Sequence, residues 1–198
     1  MAETGAAASV VLPNRAQAAY SDGTIPSMDL KAHIRDIPDF PQAGIVFRDI
    51  TPLLRDAEAR RHAIDEMAAY VASRRADAIV GIESRGFLFG MPLADRLGLP
   101  FVPVRKPGKL PAAHMSVEYS LEYGNSQLDI HADALARGDR AIVVDDLLAT
   151  GGTAHAACKL VELLGANVDS LLFLVELGHL GGRARLAGYD IHALVGYE

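Results

Sequence analysis

Between Ala141 and Thr153 the chain reads AIVVDDLLATGGT. Two adjacent acids, Asp145 and Asp146, follow an apolar run, and Thr150-Gly151-Gly152-Thr153 comes soon after. A loop of Thr and Gly that turns into a helix lets backbone N–H groups face one point, and the helix N-terminus adds a positive partial charge. Gly151 and Gly152 permit close approach of the backbone. The hydroxyls of Thr150 and Thr153 add hydrogen bonds. Ala149 to Thr153 therefore reads as a cradle for a phosphate monoester. The acids need not touch that phosphate. They suit the two hydroxyls of a ribose whose 5′-phosphate sits in the cradle, and they favour a carbocation-like sugar and a nearby Mg²⁺. A plainer alternative stands beside this one, in which the acids cap a helix and the glycines only make a turn. The string lacks G-x-x-x-x-G-K-[ST], so it is not the nucleoside-triphosphate loop.

The surrounding elements must place those residues. Arg140 to Val144 is apolar enough for a buried strand, and ligands of open α/β sheets sit beyond the carboxyl ends of strands. Thr153 to Leu164 carries Ala156, Ala157, Leu160, Val161 and Leu164 on one side, which predicts a helix. Upstream, Asp56 to Arg74 has apolar residues at three- and four-residue steps. Ala76 to Gly81 predicts a buried strand, Gly86 to Leu97 a helix closed by Gly98, and Phe101 to Lys106 a strand that Pro103 pushes toward an edge. Pro107 to Gly124 reads as a long excursion, partly β and tipped by a mobile loop, and such loops often act as lids. Gln127 to Ala132 is its returning strand. Ser170 to Leu177 and the segment IHALVGY complete the strands. Alternating strands and helices predict an α/β fold with a mainly parallel sheet and flanking helices.

Composition narrows the function classes. At 198 residues the chain is expected to form one domain. Its net charge of −6 speaks against nucleic acid as a partner, which needs a basic face. The single cysteine, Cys158, excludes an internal disulfide framework, is expected to be packed, and fits a reducing cytoplasm. No apolar run approaches the roughly 18 residues of a membrane span, and no signal peptide is expected. Residues 1–28 are Ala-rich and broken by Pro and Gly. They are expected to be a flexible extension to a domain spanning residues 29–198. Met28 is a candidate second start, followed by a short helical stretch. The seven histidines show no metal-ligand spacing, and His114 is expected to be exposed.

The acid pair with its Thr-Gly-Gly-Thr strongly resembles the phosphoribosyl-diphosphate signature of type I phosphoribosyltransferases. FPQAGIVFRDITPLL (40–54), GIESRGFLFG (81–90), RKPGKLP (105–111) and YSLEYG (119–124) occur with it in the order of the adenine-specific branch of that family. The resemblance runs from about Met28 to the C-terminus. It implies a type I phosphoribosyltransferase fold with a small hood and a flexible catalytic loop. It also implies a purine-salvage glycosyltransferase that joins adenine to phosphoribosyl diphosphate, giving AMP and diphosphate.

The resemblance assigns roles to individual residues. Asp145, Asp146, Ala149, Thr150, Gly151, Gly152 and Thr153 would hold the phosphoribosyl group. Ser84, Arg85, Arg105, Lys106 and Lys109 would meet the diphosphate, with a cis peptide bond at Glu83–Ser84. Glu122 and Tyr123 on the loop, together with Arg85, would serve the chemistry, Glu122 at the N7 side of adenine as proton shuttle or hydrogen-bond partner. Backbone groups near Val46 and Arg48 would read the adenine edge, with Leu147 packed on the ring. Mg²⁺ would be carried mainly by the substrate, near Asp145 and Asp146, without a dedicated protein cage. A homodimer is implied. The alternatives are the same reaction on hypoxanthine, guanine or xanthine, and a non-catalytic sensor of phosphoribosyl diphosphate.

Overall fold

The computed structural model describes residue 25, residues 27–121 and residues 124–198. Most of the expected extension, 1–28, therefore lies outside the described residues, as do Glu122 and Tyr123.

Five apolar segments form a parallel sheet: β3 (Ala78–Ile82), β4 (Phe101–Val104), β7 (Arg140–Leu148), β8 (Asn167–Leu177) and β9 (Ile191–Tyr197). The spatial order is β4-β3-β7-β8-β9. In chain order within the sheet this is 2-1-3-4-5, a doubly wound order whose connections reverse direction between β3 and β7. A crevice opens at that reversal, beyond the carboxyl ends of the two strands. Helices cover both faces, so the strands need apolar residues on both sides; all five residues of β3 are buried. Ile79, Ile142 and Val144 face a core built with α1 (Thr51–Arg55), α2 (Ala57–Ala72) and α3 (Phe87–Leu97). Ala78, Val80, Ala141 and Val143 face the opposite core, built with α4 (Gly152–Leu163). Cys158 is buried in that second core, and its thiol is pushed up to about 12, mainly by burial.

Pro103 sits in β4, at the edge of the sheet, where its missing N–H leaves no ladder bond unmade. Asp56 caps α2 by accepting from the Glu58 and Ala59 N–H groups. Gly98 ends α3 in the left-handed conformation.

Three expectations change. The stretch after Met28 is a single 3-10 turn, Leu30–His33, followed by β1 (Arg35–Pro38). This strand pairs antiparallel with β2 (Val46–Asp49) to make a two-stranded hood. The excursion expected to be partly β holds a longer strand than expected, β5 (His114–Leu121), paired antiparallel with the returning strand β6 (Gly124–His131). Met115, Val117, Tyr119 and Leu121 alternate with polar residues, a period-two signal that the Pro and Gly at both ends of the segment obscured. Finally, β7 does not end at Val144. It continues to Leu148, with Asp145 opposite Phe173 and Leu147 opposite Val175 on β8. The two acids therefore lie within the strand, on a rigid element.

Candidate active site

A cleft of about 390 Å³ opens at the β3/β7 crevice. Asp145 and Asp146 form its floor. Asp146 is only 3% exposed, and Asp145 is half-buried at the mouth. Asp145 Oδ1 accepts a hydrogen bond from the Asp146 N–H at 2.9 Å. Arg85 Nε lies 3.1 Å from Asp146 Oδ2, yet the pair is not aligned as a hydrogen bond, and this buried oxygen has no hydrogen-bond partner among the described residues. Burial, then the Asp146 charge beside it, pushes the Asp145 carboxyl well above the usual range. Burial also raises Asp146, against the opposing pull of Arg85. Two acids so placed attract hydroxyl donors or a cation.

The cradle follows directly. Ala149, Thr150, Gly151, Gly152 and Thr153 all line the cleft. Gly151 is the N-cap of α4 and adopts φ 79°, a left-handed conformation that suits glycine. It brings no side chain to cap the helix, so the first N–H groups of α4 are left for a ligand. The loop is held from behind by Gly182, where an added Cβ would lie 2.3 Å from Ala149 O. No sequence signal linked this remote glycine to the cradle.

Opposite the acids, the chain leaves β3 through a cis peptide bond at Glu83–Ser84, as expected. Ser84 and Arg85 line the cleft. An added Cβ on Gly86 would come 2.6 Å from Ile82 O and 2.7 Å from Val144 O, so only glycine lets α3 start this close to β3 and β7. Glu83 Oε2 accepts from Arg105 Nε at 2.9 Å and from the Lys106 N–H at 2.9 Å. The Arg105 bond, more than any other contact, holds the Glu83 carboxyl below its ordinary value. Of the three expected diphosphate cations beyond Arg85, Lys106 lines the cleft, whereas Arg105 is engaged by Glu83 and Lys109 is exposed off the lining.

The hood side is less complete. Leu147 lines the cleft and packs toward the hood-side core. Val46 is exposed and Arg48 is turned away, paired with Asp36 and stacked over the Tyr197 ring at 3.9 Å. Neither lines the cleft. The strand that carries them approaches it through Phe47, whose ring centroid is 5.9 Å from Arg85 Cζ. β2 pairs only with β1 among the described residues, so its other backbone edge is open, in keeping with reading a base by backbone groups. Residues the sequence reading did not single out also line the cleft: Tyr119, Ser126 and Leu128 of the β5–β6 hairpin. His114, at the base of that hairpin, is exposed.

The donor set fits a cation held mainly by its substrate. Among the described residues no group of three or more His, Cys, Asp or Glu is arranged to hold a metal. Two carboxylates, one with an unbonded buried oxygen, supply a partial shell of hard ligands.

Comparison with known proteins agrees with this geometry. Residues 53–180 match the family described as phosphoribosyl transferase domain. The chain is 59% identical over 167 residues to an adenine phosphoribosyltransferase of Caldanaerobacter subterraneus subsp. tengcongensis, covering 84% of this chain and 96% of that one. It is 58% identical over 170 residues to the Thermotoga maritima enzyme of the same name, covering 86% and 98%. Among solved structures, adenine phosphoribosyltransferase from Thermoanaerobacter pseudethanolicus superposes with a TM-score of 0.82 at 57% identity, over 85% of this chain and 98% of that one. The Saccharomyces cerevisiae enzyme, complexed with D-2,5-dideoxy-2,5-imino-altritol 1,6-bisphosphate and adenine, gives 0.80 at 41% identity, over 83% and 96%.

Proposed function

The chain belongs to the adenine phosphoribosyltransferase family, and from that membership we infer how its cleft divides the work of the reaction. It transfers the 5-phosphoribosyl group from phosphoribosyl diphosphate to adenine. The bond from ribose C1 to the diphosphate oxygen breaks, a bond from C1 to adenine N9 forms, the imidazole-ring proton of adenine is lost at its N7 side, and AMP and diphosphate are released. The observation that carries this reading is a helix start without a side-chain cap, facing the same cleft as a buried carboxylate oxygen with no hydrogen bond.

The N–H groups and hydroxyls of Ala149 to Thr153 hold the 5′-phosphate. Asp145 and Asp146 accept hydrogen bonds from the ribose hydroxyls and stabilise the positive charge that grows on the sugar as the leaving bond stretches. Ser84, Arg85 and Lys106 meet the diphosphate. Glu83 fixes the backbone that carries Lys106 and holds Arg105 beside it. Lys109 adds charge at longer range. Glu122 handles the proton balance of the base at its N7 side, with Tyr123 next to it in the chain. The open edge of β2 near Val46 and Arg48 reads the adenine rim and Leu147 packs on the ring. A base with a 6-oxo group in place of the amine leaves one buried polar group unpaired, which costs about 1–3 kcal/mol.

Asp145 and Asp146 would hold a Mg²⁺ bound chiefly by the substrate, and the ion would supply charge neutralisation for the departing diphosphate. Positioning and electrostatics provide most of the acceleration, and acid–base help about 10²–10⁴-fold. The reading extends to a homodimer working in the cytoplasm. Leu88 and Met91 on α3 offer exposed apolar surface for a second copy, and a single buried thiol suits a reducing compartment.

The test is a panel of four purines, adenine, hypoxanthine, guanine and xanthine, each incubated with Mg²⁺ and phosphoribosyl diphosphate. AMP formed from adenine, with little product from the others, is expected. Nucleotide formed mainly from a 6-oxopurine contradicts the assignment.

A further inference from the structure

We propose that Tyr119 is an additional ligand of the sugar 5′-phosphate, donating its phenolic hydroxyl to an oxygen in the cradle; this rests on the assignment of the cradle above.

The hairpin register explains how that hydroxyl comes to be there. Val117 pairs with Leu128 and Tyr119 with Ser126. Residues two apart on a strand, and residues directly opposite on its partner, share one face. That face rests on the α4-side core. Leu128 is buried there with Ala154 and Ala157, and Val117 and the Tyr119 ring pack against the same cluster. The ring is thus anchored by apolar packing, while the hydroxyl end reaches the cleft.

At that end Tyr119 Oη accepts from Thr153 Oγ1 at 3.4 Å, a long contact between two hydroxyls. Thr153 belongs to the first turn of α4, where the uncapped N–H groups point. A phenol also has a proton to donate, and among the described residues nothing accepts it. Tyr119 is half-buried and its hydroxyl end faces the open cleft, so a phosphate oxygen in the cradle would accept this donor with a charge-assisted bond. The same contact would tie the hairpin to the occupied cradle. Ribose 5-phosphate, phosphoribosyl diphosphate and AMP all present this phosphate. Adenine and free diphosphate do not.

Tyr119→Phe removes the hydroxyl and keeps the ring. The experiment measures equilibrium binding of ribose 5-phosphate and of inorganic diphosphate, together with KM for both substrates. Expected is roughly tenfold weaker binding of ribose 5-phosphate and a similar rise in KM for phosphoribosyl diphosphate. Diphosphate affinity, KM for adenine and Tm should not move. Val117→Ala is the packing control: it loosens the hairpin face without touching the hydroxyl, and should lower Tm while leaving ribose 5-phosphate affinity in place. Unchanged ribose 5-phosphate affinity in Tyr119→Phe, or equal losses for all ligands, or an equal loss in Val117→Ala, overturns the proposal. Failure of the unaltered chain to bind ribose 5-phosphate at all overturns the cradle assignment with it.

Discussion

Burial makes the charges of Asp145 and Asp146 expensive, and the Asp146 charge adds to the cost at Asp145. Arg85 offsets part of that cost from 3.1 Å but leaves Asp146 Oδ2 without a hydrogen bond. A sugar diol and a substrate-borne cation remove the remainder, so the pair is costly when empty and satisfied when occupied. Asp146→Asn should therefore separate function from stability. It should lower kcat/KM for phosphoribosyl diphosphate by about 10- to 100-fold, the loss of one charge-assisted bond in a dry site. The Tm of the ligand-free protein should hold or rise, because a like-charge contact is gone. Steady-state kinetics and thermal melting together check this; a large fall in Tm would show the acid to be a structural one. These acids and the cradle were legible in the sequence because they lie within nine consecutive residues on one strand-to-helix corner. The partner of Arg105 was not legible. Its bond to Glu83 spans two strand ends that only the fold brings together.

At the scale of elements, the crevice follows from strand order. The chain builds β3, places β4 on one side, then crosses to the other side for β7, and the strand ends diverge where the direction reverses. The five sheet strands and three of the helices were legible from apolar periodicity. The full extent of β5 was not, because bordering Pro and Gly hid where the strand of that partly β excursion begins and ends. Nor was the way the hood is fastened. Asp49 at the end of β2 accepts from the Thr51 N–H at 2.9 Å, from Thr51 Oγ1 at 2.8 Å and from Arg35 Nη2 at 2.5 Å, clasping both hood strands to the start of α1. The Thr51 N–H, then Arg35, holds the Asp49 carboxyl below its ordinary 3.8. A carboxyl whose folded-state pKa is lowered adds stability above its unfolded pKa, and that stability is lost as pH falls through the folded value. Asp49→Asn keeps an acceptor for Thr51 but loses the charge facing Arg35. Arg35 is largely exposed, so water screens the pair, and the loss at neutral pH should be about 1 kcal/mol. That corresponds to roughly 2–4 °C in Tm. The gap between variant and parent should close as pH drops below about 3.8, where the parent's clasp also protonates. A gap of constant size down to low pH would show that charge is not what fastens the hood.

The whole molecule is acidic, with a net charge of −6, yet it handles a substrate and products that are anions. Local arrangement resolves this: helix-start N–H groups, Arg85 and Lys106 all converge on one cleft, whose acids are the pair Asp145 and Asp146 and Glu83, the last engaged by Arg105. The domain limits read from sequence place the folded unit from residue 29 onward, and Met28 already packs against the hood-side core, with Leu30 buried behind it. Everything from there to the C-terminus serves one corner, where β7 turns into α4. The measurement that tests this most directly is a crystal structure of the chain with AMP bound. The account predicts the phosphate on the N–H groups of residues 149–153 and the ribose hydroxyls on Asp145 and Asp146. AMP bound with its phosphate away from that turn, or with its ribose remote from both acids, would contradict it.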